Sequence, residues 1–429
     1  VRRRHLHPKP LFDDPSLRAF LEHHSVKPIH KHTIWKHMLA NPHCPLDEIP
    51  GIPDRVRGPL RQEFSFLTSS VVKTLESGID GTIKLLIRLQ DGGEVEAVLI
   101  HHSGETDGPR KEPADNCIQR DTLCISSQVG CRLGCTFCAT GTMGLQGNLW
   151  PGEIEEQLIH ARRLRSVSNI VFMGMGEPFE NYDGVVSAIN ALVDFQVFQI
   201  APSNITVSTV GIIGNMRRFM KEVPKVKLAL SLHAPTQELR EQIVPIGKSF
   251  KIDALMEVLD EYASTRDGKR KGLVMVSYVM LAGVNDSDEC ADLLAKLLGS
   301  RPVIVNLIAY NPVDSDLHGY SAPTRERIDA FWRILVKAKL RVIERRHHGR
   351  DIAAACGQLA KVGMETTTAD IESLGSLIQE VPQRTSCSQP ETDSPNSSED
   401  FFGMQLPLWV IVGMLSVAFS SLLVLRRRG

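Results

Sequence analysis

Three cysteines stand close together in "CRLGCTFC", residues 131–138. Cys131, Cys135 and Cys138 have C-x3-C-x2-C spacing, and thiolates placed this closely are soft ligands for zinc or for an iron–sulfur cluster. Structural zinc and cubane sites normally take four protein ligands, so a triplet leaves one position for an outside ligand. On these residues alone, a three-cysteine zinc site and an open cluster both stand. The chain has nine cysteines, an odd number, and five of them fall between Cys117 and Cys138. That is not a disulfide framework. It points to metal or redox chemistry in a reducing compartment, either the cytoplasm or the interior of a chloroplast or mitochondrion.

The elements that must position these thiols follow from hydrophobic patterning. From Thr122 onward, short β-rich runs alternate with amphipathic stretches such as Gly152–Leu164 and Ile252–Ala263. The runs are "TLCISSQVG" (122–130), "NIVFMGMG" (169–176), "ITVSTVG" (205–211), "KLALSLHA" (227–234), "LVMVSYVML" (273–281) and "VIVNLIAY" (303–310). Strand–helix alternation implies parallel pairing with crossover helices. Six repeats predict an α/β fold, an incomplete (βα)6 barrel. Sites in such folds gather beyond the C-terminal strand ends, and these ends read "GMGEP", "STVG", "SLHAP" and "YNP".

Around this core (121–361) the composition changes. Residues 11–67 carry apolar residues at helical spacing, broken by Pro and Gly, which predicts an N-terminal helical accessory domain. Residues 68–120 hold two Asp-Gly turns between apolar runs, the signature of a small β-hairpin element, followed by a polar loop. Residues 385–405 are rich in Ser, Pro, Gln and acids and read as a disordered linker. Residues 406–425 contain no charge and precede Arg426–Arg428, which predicts a C-terminal hydrophobic helix acting as a transmembrane tail anchor. No secretory-signal pattern is visible at the start. The formal net charge is -1, so nucleic-acid contact would come from local patches. The candidates are Lys27–His37 and the group Lys337, Lys339, Arg341, Arg345, Arg346 and Arg350.

The longer stretches "CISSQVGCRLGCTFC" (124–138), "VFMGMGEP" (171–178), "LSLHAP" (230–235), "YNP" (310–312) and "DIAAACGQL" (351–359) resemble one family. They are similar to radical S-adenosylmethionine (SAM) enzymes, and within these to the RNA adenine-C2 methyltransferases and their drug-resistance relatives. The resemblance runs from about Leu11 to Lys361. It implies a radical-SAM barrel in which Cys131, Cys135 and Cys138 hold three irons of a [4Fe–4S] cluster and SAM takes the fourth. It implies two SAM molecules per turnover. One methylates Cys356, and the other yields the radical that activates the S-methyl group. Cys124 then resolves the RNA–protein adduct by forming a disulfide with Cys356, and Glu96 is the matching general base. For SAM contacts the resemblance implies Gly176, Glu177, Ser208, Ser231, Leu232, His233 and Asn311. It also implies an RNA partner, ribosomal or transfer, an external electron donor such as flavodoxin or ferredoxin, and a monomer.

This chain departs from the family pattern in places. Val210 stands where the family has serine in "STSG". The segment "RRHHGRDI" (345–352) places His347 and His348 in a basic run and lacks one acid. The loop His101–Arg120 is longer than usual, and the terminal anchor is foreign to the pattern. Adenine-C8 methyltransferases share the same cysteine pair. A catalytically inactive, membrane-tethered RNA-binding relative is the alternative from another functional class.

Overall fold

The computed structural model describes residues 4–102, 120–264, 273–313, 318–345 and 348–359. The expected linker and apolar helix at 385–405 and 406–425 lie outside the described residues. Among the described residues no helix is long and apolar enough to cross a membrane.

Three helices form near the N-terminus: α1 (Asp14–His23), α2 (His30–Ala40) and α3 (Asp54–Glu63). Asp13 caps α1 by accepting a hydrogen bond from the Ser16 N–H at 3.1 Å, so one orphan donor of the first turn is satisfied. Trp35 of α2 is fully buried, and its indole N–H donates to the Leu11 carbonyl at 2.9 Å. Two short parallel strands, β1 (Lys9–Pro10) and β2 (Phe64–Ser65), tie the two ends of this layer together.

The hairpins follow as β3 (Ser70–Glu76), β4 (Ile83–Arg88) and β5 (Glu94–His102). Gly81 and Gly92 take φ of +68° and +84° in the two turns, a backbone region that favours glycine. These strands are not a separate small sheet. β5 pairs antiparallel with β6 (Arg120–Cys124), and β6 opens a parallel series. The series continues through β9 (Asn169–Phe172), β10 (Ile205–Thr209), β11 (Lys227–Ser231), β12 (Val274–Met280), β13 (Val303–Ala309) and β14 (Arg341–Glu344). The result is one mixed ten-stranded sheet of order β14-β13-β12-β11-β10-β9-β6-β5-β4-β3.

Two expectations need correction. The (βα)6 reading stops one strand short, because β14 adds a seventh parallel strand. Its sequence "RVIE" alternates exposed and half-buried residues, so it lacks the continuous apolar run of an interior parallel strand. The run 122–130 is also not one strand. β6 ends at Cys124, and β7 (Gln128–Cys131) pairs with β8 (Gly144–Asn148) in a sheet of their own. The break has a local cause. The side chain of Gln157 takes both backbone groups of Ser126, accepting from its N–H at 2.8 Å and donating to its carbonyl at 2.9 Å.

Helices α5 (Pro151–Arg162), α6 (Tyr182–Leu192), α7 (Ile213–Glu222), α9 (Ile252–Ser264), α10 (Asp288–Leu298) and α11 (Arg325–Lys337) intersperse the parallel strands. Short helices α4 (Ala139–Thr142) and α8 (Gln237–Ile243) lie in loops. Strand residues such as Val207, Leu230, Val276, Val305 and Leu307 are fully buried. Each such side chain contributes on the order of 1.5–3 kcal/mol through burial, which fixes the frame on which the strand ends are held.

Candidate active site

The three clustered cysteines sit in the loop that β7 and β8 bracket. The bracket closes tightly: a Cβ on Gly130, whose φ is +72°, would lie 2.0 Å from the Gly144 carbonyl oxygen. Inside the loop, the Cys138 N–H donates to the Cys135 carbonyl at 3.1 Å and the Gly141 N–H to the Cys138 carbonyl at 3.0 Å. The Thr136 N–H reaches the Ile243 carbonyl at 3.0 Å and anchors the loop to α8.

"SSQ" (126–128) explains itself as scaffold. All three residues are buried. Ser126 Oγ donates to the Glu96 carbonyl at 2.6 Å and accepts from the Met175 N–H at 2.9 Å. Gln128 Oε1 accepts from the Glu177 N–H at 2.8 Å, while its amide nitrogen donates to Asn148 Oδ1 at 2.8 Å. The strand that leads into the cysteine loop therefore also shapes "GMGE" after β9. Close approach requires both glycines there. A Cβ on Gly174 would fall 2.7 Å from the Ile125 carbonyl carbon, and one on Gly176 would fall 2.5 Å from Gln128 Cβ.

A cavity of about 150 Å³ opens beyond the parallel strand ends. Cys131, Cys135 and Cys138 line it, together with Gly176, Glu177, Ser208, Ser231, His233 and Cys356. Ser208 and Ser231 meet Oγ to Oγ at 3.1 Å, and Ser277 joins them from β12. His233 is held at φ +62° with Nδ1 accepting from the Val279 N–H at 3.1 Å. That bond leaves the ring proton on Nε2 in the neutral form. Burial and the Arg240 charge push its pKa down to about 3, so the ring is neutral at physiological pH. Leu232 is fully buried and does not line the cavity; its N–H donates to the Ser277 carbonyl at 3.1 Å.

The Glu177 carboxylate lines the cavity and also accepts from backbone donors. Oε1 accepts from the Phe179 N–H and Oε2 from the Val210 N–H, each at 3.0 Å. Burial lifts its pKa to about 7 against these bonds. Val210, the departure from "STSG", works through its backbone, since its carbonyl accepts from Arg240 Nη2 at 2.6 Å.

The C-terminal segment brings Cys356 to this wall. Its carbonyl accepts from Asn311 Nδ2 at 3.2 Å, and the next carbonyl, Gly357, accepts from the Ala139 N–H at 2.8 Å, directly beside Cys138. A second cavity of about 20 Å³ lies behind it, lined by Cys124, Asn311, Arg345, His348 and Cys356 among others. Cys356, Met173, Ile308 and Arg345 line both spaces. Cys124 and Cys356 are both free thiols. Burial pushes the Cys124 thiol up to about 12, the neighbouring Cys356 adds to this, and Arg345 opposes it.

Glu96 lines neither cavity. It is buried on β5, and Oε1 lies 3.1 Å from Lys84 Nζ. It shares its face with Val98 and Ile100, which do line the Cys124 cavity.

The basic patch splits. Lys337, Lys339 and Arg341 are exposed, whereas Arg345 faces inward and donates to Met173 Sδ at 3.3 Å. Arg350 Nε reaches Asn311 Oδ1 at 3.4 Å, and Arg346 lies outside the described residues. In the N-terminal cluster, Lys31 pairs with Asp14 at 2.7 Å and His32 with Asp194 at 2.8 Å, so both are engaged within the protein. Sequence reasoning missed Arg240 altogether. It is fully buried, donates to the Phe250 and Val210 carbonyls, and places a positive charge beside Cys135.

The thiols fit a cluster better than a single ion. One zinc would draw its sulfurs to about 2.3 Å from a common point. Among the described residues no three His, Cys, Asp or Glu side chains converge to hold one metal ion. A cubane takes each thiolate on a different iron and suits three sulfurs spread around one cavity. Burial raises all three thiol pKa values, that of Cys131 to about 12, and neighbouring thiols add to it, Cys356 in the case of Cys138. Positive iron is what would turn them into thiolates.

Comparison with known proteins agrees. Residues 125–294 match the radical SAM superfamily model. The chain is 38% identical over 347 residues to a dual-specificity RNA methyltransferase RlmN of Pelobacter propionicus, covering 80% of this chain and 93% of that protein. It is 39% identical over 315 residues to a probable dual-specificity RNA methyltransferase RlmN of Thermotoga neapolitana, covering 73% and 85%. A crystal structure of a radical SAM methyltransferase from Sphaerobacter thermophilus superposes with a TM-score of 0.71 at 34% identity, over 82% of this chain and 99% of that one. With its cysteine loop, its strand-end cavity and these relatives, the chain belongs to the RlmN family of radical SAM RNA methyltransferases.

Proposed function

We propose that the protein methylates C2 of an adenosine in ribosomal or transfer RNA, with Cys356 carrying the methyl group. One observation carries this reading: Cys356 lines both the cavity of the three clustered cysteines and the cavity of Cys124. A sulfur in that place can receive a methyl on one side and be attacked on the other.

Cys131, Cys135 and Cys138 would hold the cluster, which together with SAM supplies radical chemistry able to take a hydrogen atom from an unactivated methyl group. The remaining work belongs to the chain. The Cys356 thiolate would attack the methyl carbon of one SAM and become S-methylated, with S-adenosylhomocysteine as the leaving group. Removal of a hydrogen atom from that methyl, at the expense of a second SAM, lets its carbon bond to C2 and tethers the RNA to Cys356. Glu96 takes the C2 proton, while the unpaired electron of the RNA adduct would return to the cluster that Cys131, Cys135 and Cys138 would hold, leaving a closed-shell adduct. Cys124 then attacks the Cys356 sulfur; the S–S bond forms as the S–C bond breaks, the released methylene carbon takes up a proton, and methylated RNA leaves. With its thiol raised to about 12, Cys124 stays protonated until that step, and the Arg345 charge lowers the cost of ionising it. Ser208, Ser231, His233, Asn311, Gly176 and Glu177 are the groups to orient SAM, with Leu232 packed behind them. Electrons come from an external donor of the flavodoxin or ferredoxin kind, and the enzyme acts as a monomer.

Nucleoside analysis of RNA from cells lacking the protein tests this reading. Loss of 2-methyladenosine is the expected result. Loss of 8-methyladenosine would move the chemistry to C8, and an unchanged nucleoside profile would refute the assignment.

A further inference from the structure

Lys84 stands in "IKLLIR" where the pattern of β4 asks for an apolar residue. Its side chain is 2% exposed. The ammonium lies 3.1 Å from Glu96 Oε1 and donates to the Ala353 carbonyl at 3.1 Å, three residues before Cys356. Register explains how it reaches both. Lys84 pairs with Val98 and Leu86 with Glu96, so Lys84 and Glu96 are diagonal neighbours on one face. Val98 pairs in turn with Cys124. Lys84, Val98 and Cys124 therefore form a row across three strands, on the face against which the Cys356 segment lies.

Holding that segment does not require Lys84. Ser77 Oγ and the Gly78 N–H donate to the Asp351 carboxylate at 2.7 and 3.0 Å, and the Gly349 N–H donates to Asp80 Oδ2 at 3.0 Å. Two buried charges cost more to desolvate than two apolar side chains of the same size. What the lysine does among the described residues is join the carboxylate on β5 to the segment that carries Cys356.

We propose that Lys84 is a positioning residue that keeps Glu96 ionised and aimed along the Cys124 face when the Cys356 segment is seated. This rests on Glu96 being the base assigned above. Lys84 gives up no proton. The C2 proton ends on a Glu96 oxygen, and the lysine charge holds that oxygen unprotonated beforehand.

The test compares Lys84→Met, Lys84→Arg and Glu96→Gln in the full-length protein. Reconstituted enzyme is given RNA and SAM, and the covalent RNA–protein adduct is followed on denaturing gels against pH. Removing the cation leaves a fully buried, uncompensated carboxyl, whose pKa rises by up to about 3–5 units, to about 8–9. In Lys84→Met the adduct should therefore persist at neutral pH, as in Glu96→Gln. Its release should recover as the pH is raised through that range, while methyl is still found on Cys356 by mass spectrometry. Lys84→Arg should keep the wild-type profile. Cluster-free protein gives an independent readout. The infrared carboxylate band that Glu96→Gln removes from wild type at neutral pH should be missing already in Lys84→Met. Should Lys84→Met fail to fold, Lys84→Gln takes its place with the same expectations. A wild-type pH profile with Glu96 ionised in the neutral variant overturns the proposal, as does a displaced profile in Lys84→Arg. Normal RNA release by Glu96→Gln would refute the base itself; trapping by Glu96→Gln with normal release by Lys84→Met would refute only the role of Lys84.

Discussion

Gly176→Ala tests how the cavity floor is held. Gly176 has φ +97°, and an added Cβ would lie 2.5 Å from Gln128 Cβ and 2.9 Å from the Gln128 backbone nitrogen. Gln128 has little freedom to yield, because its side-chain Oε1 accepts from the Glu177 N–H and its side-chain nitrogen donates to Asn148 Oδ1, both at 2.8 Å. A non-glycine residue forced into such backbone geometry costs about 1–3 kcal/mol, and overpacking adds about 1–3 kcal/mol. The total is on the order of 2–6 kcal/mol. At about 2 °C per kcal/mol for a large domain, the melting temperature should fall by about 4–12 °C. Thermal unfolding of cluster-free protein by circular dichroism measures this, and calorimetric titration of reconstituted protein with SAM should show weaker binding. Gly58→Ala is the control. Nothing lies within 4 Å of its Cβ position in α3, and alanine is favoured there by up to about 1 kcal/mol. A Gly176→Ala protein that melts and binds SAM like wild type would refute the packing argument.

Two other predictions follow from the same geometry. Cys124→Ala should still methylate Cys356 but trap RNA covalently; denaturing gels with nuclease digestion would show the adduct, and sustained turnover would count against Cys124. His160 is buried, sits 3.0 Å from Ser69 Oγ, and has its pKa lowered to about 4 by burial from 6.5. The unfolded chain therefore binds a proton that the folded chain refuses between pH 6.5 and 4. Stability falls as pH drops through that window, by up to about 3 kcal/mol, and His160→Gln should flatten this limb in urea titrations. An unchanged acid limb in that variant would show that His160 is not its source.

Much of this site was legible because strand ends and short-range spacing are written locally. The cysteine triplet, "GMGE", Ser208, Ser231 and His233 each follow an apolar run, and the sheet delivers them to one cavity. Cys124 and Cys356 are far apart in sequence, and spacing alone could not pair them; the family resemblance did. The miss on β14 came from its half-exposed edge position, and the split of 122–130 came from one glutamine side chain distant in sequence. Glu177 lines the cavity, and the two backbone N–H groups of Phe179 and Val210 that its carboxylate also accepts are a packing detail that one dimension does not show. Lys84 and Arg240 were invisible because a lone basic residue in a strand or helix looks solvated until burial is known. Arg345 was assigned to an RNA-facing surface, yet it turns inward to both cavities.

The methyl-carrying role proposed for Cys356 would join the two cavities into one reaction, and it can be read directly. Reconstituted enzyme incubated anaerobically with methyl-deuterated SAM, then digested, should show the labelled methyl on the Cys356 peptide. On addition of RNA, that label should move to the adenine. A Cys356 thiol that stays unlabelled, or RNA that acquires label with Cys356 replaced by alanine, would contradict the account.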